Sequence, residues 1–255
     1  MLHLVAPSPW PVIMAASTLF FLLNLILGLK SKFGLLGIIS LLTVGLVLFF
    51  WLRDVLRESV YLGKNSKFMK RLFVQGYILF LVSEVILFFR LFWTYFHFSL
   101  SPDISIGCVW PPTGVRMVRC FRVPLLNTGL LLLSGVRVTI AHIFLSIGTK
   151  SKRALWIAMT VLLGLVFELY QYLEYNEMRF RLADSCYGNI FFALTGLHGI
   201  HVLLGILGLS ISLATLINNF ISTRTHLSWI FPIWYWHFVD VVWLLVYLVV
   251  YVWGR

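Results

Sequence analysis

Seven apolar stretches, each long enough for a bilayer-spanning helix, set the fold class of this chain. A hydrocarbon core about 30 Å thick requires about 20 apolar residues in a helix. Of the 255 residues, 60% are hydrophobic and 11% are charged, far from the roughly 25% charged share of a soluble domain. The sequence therefore predicts an all-α membrane protein with a single domain, 1–255, and seven transmembrane helices near 12–29, 34–52, 72–97, 124–147, 153–176, 187–216 and 229–253.

Basic residues predict the orientation of these helices. The net charge of +11 indicates contact with anionic lipid head groups and no nucleic acid partner. Segments 53–71, 98–123 and 217–228 are the longest predicted loops. The first of them carries a cationic cluster, so we expect it, and the N-terminus, on the inner side: Arg53, Arg57, Lys64, Lys67, Lys70 and Arg71. The uncharged, proline-rich opening segment argues against a cleavable signal peptide.

Three cysteines fall in predicted outer loops. Their odd number, without a visible paired framework, favours free thiols in Cys108, Cys120 and Cys186. A disulfide between Cys108 and Cys120 is the alternative.

A carboxylate in the third predicted helix is the first candidate for function. Glu84 lies about 18 Å from the start of that helix at 1.5 Å per residue, which is near mid-membrane. Intramembrane carboxylates are functional candidates because they are costly to bury. Two interpretations stay open for Glu84: a proton-relay or reactive acid, or a group that hydrogen-bonds a neighbouring helix.

The last predicted helix carries an imidazole and a carboxylate, His237 and Asp240, in an otherwise apolar run. Their i, i+3 spacing stacks the two side chains on one face. Each needs a partner inside the protein, since an unsatisfied polar group in hydrocarbon costs several kcal/mol. We interpret them as a polar latch between helices, with His142 near the end of the fourth helix as a candidate partner.

Two more histidines, His198 and His201, also share one helical face. Neutral histidine is the commonest metal ligand, so a metal or haem site is one interpretation, with His142 or His237 as a second axial ligand. The glycines around His198 favour the other interpretation, close helix packing with hydrogen bonds between helices.

Three further charges lie inside predicted helices. We expect Arg137 and Glu168 to pair across the fourth and fifth helices, and Arg90 to extend its guanidinium to the outer surface.

Short motifs follow one another in a specific order along the whole chain. They are HLV (3–5), PSPWP (7–11), WLRDVLRE (51–58), SE (83–84), WPPTG (110–114), VPLLNT (123–128), SGV (134–136), TIAH (139–142), EY (174–175), YG (187–188) and TGLHGIH (195–201). Each motif is weak alone. Together, in this order, they closely resemble the cytochrome c oxidase subunit III family.

The resemblance implies a fold and a function. The first two helices would splay from a five-helix bundle, leaving a lipid-filled cleft. The chain would be a non-redox core subunit of mitochondrial cytochrome c oxidase, respiratory complex IV, which moves electrons from cytochrome c to oxygen and pumps protons. It would support assembly, lipid binding and stability of the catalytic subunit.

The resemblance also implies partners and a location. Haem a and copper would lie in partner subunits. The chain would contact subunit I directly, share the complex with subunit II and accessory subunits, and bind membrane phospholipids. The mitochondrial inner membrane is the expected location, with a bacterial plasma membrane as the alternative.

Individual residues gain roles from the resemblance. Glu84 matches a buried carboxylate that reacts with hydrophobic carbodiimide. Arg57 and Glu58 match lipid contacts, Arg224 and His226 match them loosely, and phosphatidylglycerol or phosphatidylethanolamine is the implied ligand. No catalytic or metal-binding residue is implied, which leaves structural polar roles for His142, His198, His201, His237 and Asp240. The rival is a haem-binding or transporter-like protein that uses Glu84, His198 and His201.

Overall fold

The computed structural model describes residues 7–30, 34–60, 67–115, 117–147, 149–218 and 227–254, and the regular structure in these ranges is helical. Its elements are α1 (Trp10–Lys30), α2 (Leu35–Val60), α3 (Lys67–Leu100), a 3-10 turn (Ile104–Ile106), α4 (Val123–Ile147), α5 (Lys150–Glu177), α6 (Cys186–Ile217), α7 (Leu227–Val246) and a π-helical segment (Tyr247–Trp253). In the described ranges seven helices are long and apolar enough to cross a membrane, which confirms the predicted fold class. Helices suit hydrocarbon because they satisfy their backbone polar groups internally.

The helices extend further than hydropathy predicted, and most of all around the first connection. We predicted a basic loop over 53–71, but α2 continues to Val60 and α3 begins at Lys67. Five of the six clustered cations therefore lie on helices, and Lys64 lies outside the described residues. The prediction was wrong because hydropathy detects the part of a helix that lies in hydrocarbon, whereas charged turns can continue the same helix into the interface.

Two compact units divide the chain, Met1–Arg71 and Leu72–Arg255. In the first, the start of α1 is tied to the end of α2, because Trp10 Nε1 donates to Asp54 Oδ2 at 2.8 Å. Arg53 forms an ion pair with Asp54 at 2.9 Å, and the Trp10 and Phe50 rings stack with centroids 6.0 Å apart. These contacts show that α1 and α2 run antiparallel. The predicted splay of this pair and the lipid-filled cleft stay predictions.

In the second unit, α4, α5, α6 and α7 pack around the indole of Trp236, which is fully buried. Its Nε1 donates to Ser134 Oγ of α4 at 2.8 Å. A Cβ built on Gly164 of α5 would lie 2.7 Å from this indole, and one on Gly205 of α6 would lie 2.8 Å from it. Two glycines and one hydroxyl thus create the space and the acceptor that hold Trp236 between four helices.

Further hydrogen bonds join α7 to its neighbours. Trp243 Nε1 donates to Thr128 Oγ1 of α4 at 3.1 Å, two turns along from Trp236. The hydroxyl of Tyr77, on α3, donates to the Phe231 carbonyl oxygen at 2.6 Å. Position numbers rise along α7 as they fall along α4, so these two helices are antiparallel.

The last helical turns, Tyr247–Trp253, form a π-helical segment that the apolar pattern does not predict. The Gly254 N–H donates to the carbonyl of Val249, five residues earlier, at 3.0 Å. This wider turn buries the rings of Tyr247 and Tyr251 on one side of the helix. Hydropathy cannot distinguish π from α geometry: the helical span predicted over 229–253 is present, and its last seven residues are π-helical.

Candidate functional site

Glu84 and His201 form a hydrogen-bonded pair that joins α3 to α6. The distance between His201 Nε2 and Glu84 Oε2 is 2.8 Å, with 7% of the imidazole side chain and 19% of the carboxyl side chain exposed. The other ring nitrogen, His201 Nδ1, lies 2.8 Å from the Leu197 carbonyl oxygen. A carbonyl oxygen can only accept, and therefore Nδ1 carries a hydrogen.

This tautomer limits how the pair can form a hydrogen bond. With a hydrogen on Nδ1, a hydrogen bond between His201 Nε2 and Glu84 Oε2 requires one proton, either on the imidazole or on the carboxyl. Both arrangements have zero net charge. The pair can therefore lie among apolar helices without a counter-ion.

Aromatic rings surround the imidazole of His201. The ring of Tyr235 stacks on it with centroids 6.2 Å apart, and those of Phe88 and Phe238 approach edge-on at 5.0 and 6.3 Å. Of the two interpretations of Glu84, the hydrogen bond to a neighbouring helix is present in the structure. A proton-relay role stays a prediction.

His198 lies on the same helix as His201 but contacts a different neighbour. Its fully buried ring donates from Nε2 to the Val239 carbonyl oxygen of α7 at 3.2 Å, between the rings of Phe167 and Trp243. The shared face predicted for the two histidines therefore does not bring them to one ligand. Within the described ranges, no three His, Cys, Asp or Glu side chains cluster so that they could hold a metal ion.

Of the latch predicted between α7 and α4, His237 forms a hydrogen bond to α4, whereas Asp240 Oδ1 is buried without a hydrogen-bond partner among the described residues. The Thr139 hydroxyl donates to the Gly135 carbonyl at 2.9 Å, and so its oxygen accepts from His237 Nε2 at 3.3 Å. His237 Nδ1 lies 4.0 Å from Asp240 Oδ2. The carboxyl lies directly over Gly135, where a Cβ would contact Oδ2.

The expected partner of this latch was His142, whereas the observed hydrogen-bond partner of His237 is Thr139, one turn earlier on α4. The His142 side chain is exposed. The cause is axial position: Gly135, Thr139 and His142 share the face of α4 that meets α7, but His142 lies about 4.5 Å further along the helix than Thr139.

The predicted pair of Arg137 and Glu168 was wrong. Glu168 lies beside α6, with both carboxylate oxygens 3.6 Å from the position of a Cβ on Gly199, and no ion pair joins it to Arg137 in the described part of the chain. Its Oε1 is buried and has no hydrogen-bond partner there. The face of α5 that carries Glu168 packs against α6 and not α4. The Arg90 side chain is exposed.

Sequence reasoning missed a second buried polar cluster, made by Asn127 of α4, Gln171 and Glu174 of α5, and Tyr251 of the π-helical segment. Each is at most 4% exposed. Tyr251 donates to Glu174 Oε1 at 2.8 Å, and Asn127 Nδ2 donates to Gln171 Oε1 at 3.5 Å. The signal was present, because Gln171 and Glu174 are one turn apart in an apolar helix.

The candidate lipid contacts lie near the end of α2, past the apolar span that ends at Val55. Arg57 is exposed and Glu58 is half-buried. Arg53 is engaged with Asp54, whereas Arg57 forms no ion pair within the described ranges. Arg224 and His226 lie outside the described residues. The three cysteines are free thiols, Cys120 being buried and Cys108 exposed.

The helices and the polar pairs between them define a multi-span membrane protein whose polar side chains join helix to helix. The family model of cytochrome c oxidase subunit III matches residues 1–255, and the chain belongs to that family. Cytochrome c oxidase subunit 3 of Allomyces macrogynus is 42% identical over 99% of this chain and 93% of its own length. Those of Pisaster ochraceus and Branchiostoma lanceolatum are 43% and 40% identical over 99% of this chain, and over 97% and 96% of their own lengths. The chain is thus part of an oxidase complex.

Proposed function

We propose that this chain is a non-redox core subunit of mitochondrial cytochrome c oxidase that supports assembly, lipid retention and stability of the catalytic subunit. The complex transfers electrons from cytochrome c to oxygen and pumps protons, with haem a and copper held by its partner subunits. Subunit I is the direct neighbour, and subunit II and accessory subunits belong to the same complex. The animal and fungal relatives support a location in the mitochondrial inner membrane.

The contacts of the two buried histidines, His198 and His201, support the non-redox part of this proposal. Both ring nitrogens of His201 are engaged, by Glu84 and by Leu197, so this imidazole has no free nitrogen for a haem iron. His198 donates from Nε2 to Val239, and its Nδ1 has no hydrogen-bond partner among the described residues, but the fully buried ring lies between Phe167 and Trp243 and faces a different neighbour from His201. The rival haem or transporter function, which needs Glu84, His198 and His201 at a common ligand, gains no support from this arrangement.

Metal and haem content of the oxidase tests the proposal. The complex is purified with and without this chain, and haem a and copper are measured per subunit I. We expect equal ratios, together with faster loss of activity during turnover in the preparation that lacks the chain. A lower haem or copper ratio in that preparation would show that this chain carries a redox centre.

Lipid retention is the second part of the proposal. Arg57 is exposed and lies two residues past the apolar span of α2, which ends at Val55, so we expect it at the depth of lipid head groups. A guanidinium can hold a phosphate by two parallel hydrogen bonds. Phosphatidylglycerol or phosphatidylethanolamine is the proposed ligand, with Glu58 beside it, and Arg224 and His226 are weaker candidates on the same predicted side.

A further inference from the structure

Three polar atoms remain unpaired in the buried cluster of Asn127, Gln171 and Glu174. They are Asn127 Oδ1, Gln171 Nε2 and Glu174 Oε2, each inaccessible to solvent and without a hydrogen-bond partner among the described residues. The three residues are 0%, 4% and 3% exposed. A buried polar group that lacks a partner costs about 1–3 kcal/mol, so three together need an explanation.

The three unpaired atoms lie on residues that contact one another. Asn127 and Gln171 already touch through the 3.5 Å hydrogen bond between their amides, which links α4 to α5. Gln171 and Glu174 are one turn apart on α5, and both adjoin the hydroxyl of Tyr251. The unpaired atoms therefore sit where α4, α5 and the π-helical segment meet.

Neighbouring hydroxyl groups have no hydrogen left for the two unpaired oxygens, Asn127 Oδ1 and Glu174 Oε2. The Thr128 hydroxyl donates to the Pro124 carbonyl and accepts from Trp243. The Thr195 hydroxyl donates to the Phe191 carbonyl, so the Tyr175 hydroxyl donates to Thr195 at 2.6 Å, and the Tyr251 hydroxyl donates to Glu174 Oε1. The oxygens of Tyr175 and Tyr251 can still accept from Gln171 Nε2, which carries two hydrogens and keeps one for a further partner.

The donor and acceptors among the three unpaired atoms stay the same whichever way the two amide groups are oriented. If the amides of Asn127 and Gln171 are both rotated by 180°, the bond between them reverses and still leaves one N–H and one carbonyl oxygen. The site therefore offers a donor, an amide acceptor and a carboxyl oxygen. Amide N–H groups repel a cation, and two oxygen acceptors repel an anion, so the complementary ligand is small, neutral and able both to donate and to accept.

We propose that an ordered water molecule occupies this position and joins α4 to α5. It accepts from Gln171 Nε2 and donates to Asn127 Oδ1 and Glu174 Oε2, and three hydrogen bonds are typical of a buried water. Asn127 is the fifth residue of α4 and Glu174 is three residues from the end of α5, so the site lies within about two turns of the helix ends. This position is nearer to the predicted outer side of the membrane than to its centre.

A map of the intact oxidase complex at a resolution that shows ordered water tests the proposal directly. We expect a peak 2.7–3.2 Å from all three atoms, the range of ordinary hydrogen bonds. A cation would instead have shorter oxygen contacts and a larger number of them. A map that resolves other buried waters but has no peak here would overturn the proposal, and so would direct pairing of the three side chains.

A double-mutant cycle on the complex provides a second test. Asn127→Leu and Glu174→Leu each remove one ligand of the water, and the two side chains share no direct hydrogen bond. We expect the double variant to lose less thermal stability than the sum of the single variants, by about 2–4 °C. Tyr251→Phe is the control, because it removes a partner of Glu174 but no ligand of the water, and we expect it to be additive with Asn127→Leu. Additivity of the two leucine variants would count against a bridging water.

Discussion

His201 Nε2 of α6 lies 2.8 Å from Glu84 Oε2 of α3, while the other ring nitrogen of His201 donates to the Leu197 carbonyl. A hydrogen bond between the two side chains needs one proton, on either group, so this link between helices can form without net charge, which suits a membrane. Its strength should depend on hydrogen-bonding capacity and not on a formal charge at Glu84.

Glu84→Gln tests this expectation. The new amide can donate to His201 Nε2, so we expect the variant chain to stay in the oxidase complex at wild-type amounts. Glu84→Leu leaves the imidazole nitrogen without a partner and should cost about 1–3 kcal/mol, discounted for the partial exposure of the site. For each variant we measure the thermal stability of the purified complex and the amount of this chain that it retains. Equal damage from the two variants would mean that the link requires an ionised carboxylate.

Gly164 is expected to tolerate no side chain. A Cβ there would lie 2.7 Å from the Trp236 indole and 2.9 Å from Ile206, so Gly164→Ala should overpack the centre of the four helices and cost about 1–3 kcal/mol. Gly129→Ala is the matched control, since nothing lies within 4 Å of its Cβ position and alanine favours a helix. We expect the melting temperature to fall in Gly164→Ala and to stay the same or rise in Gly129→Ala. A neutral Gly164→Ala would show that Trp236 can shift without loss.

Ser134 should matter for the same indole. Its hydroxyl is the acceptor for Trp236 Nε1, and Ser134→Ala leaves that buried N–H unpaired, at a cost of about 1–3 kcal/mol. Ser210→Ala is the control, because the Ser210 hydroxyl donates only to the Ile206 carbonyl within its own helix. Thermal unfolding followed by tryptophan fluorescence compares the two. Equal melting temperatures would indicate that water replaces the lost acceptor.

The sequence predicted the seven helices and four of the polar side chains that need partners, because both depend on composition along one chain segment. Glu84, His201 and His237 each form a hydrogen bond to another helix, whereas Asp240 lies 4.0 Å from His237 and directly over Gly135. The cluster of Asn127, Gln171, Glu174 and Tyr251 was missed. Choosing the partner required knowledge of which helix faces meet. Glu84 and His201 are 117 positions apart, and no local pattern joins them.

The errors have the same physical origin. Glu168 was assigned to Arg137 by charge alone, whereas the phase of α5 turns Glu168 towards Gly199 of α6. The role of Trp236 was missed because it depends on glycines in two other helices, which show no signal until those helices are packed together.

Arg57 provides the test of lipid retention. Arg57→Gln removes the two-pronged donor, and we expect the purified complex to lose about one phosphate-bearing lipid per copy of this chain, measured by quantitative lipid mass spectrometry. Arg71→Gln is the control, since Arg71 is an exposed cation near the start of α3 and its loss lowers the net charge by the same amount. Arg57→Lys should restore retention only in part, because lysine binds phosphate as a point charge without the planar fork. Equal lipid loss from the Arg57 and Arg71 variants would point to general electrostatic attraction in place of a specific site.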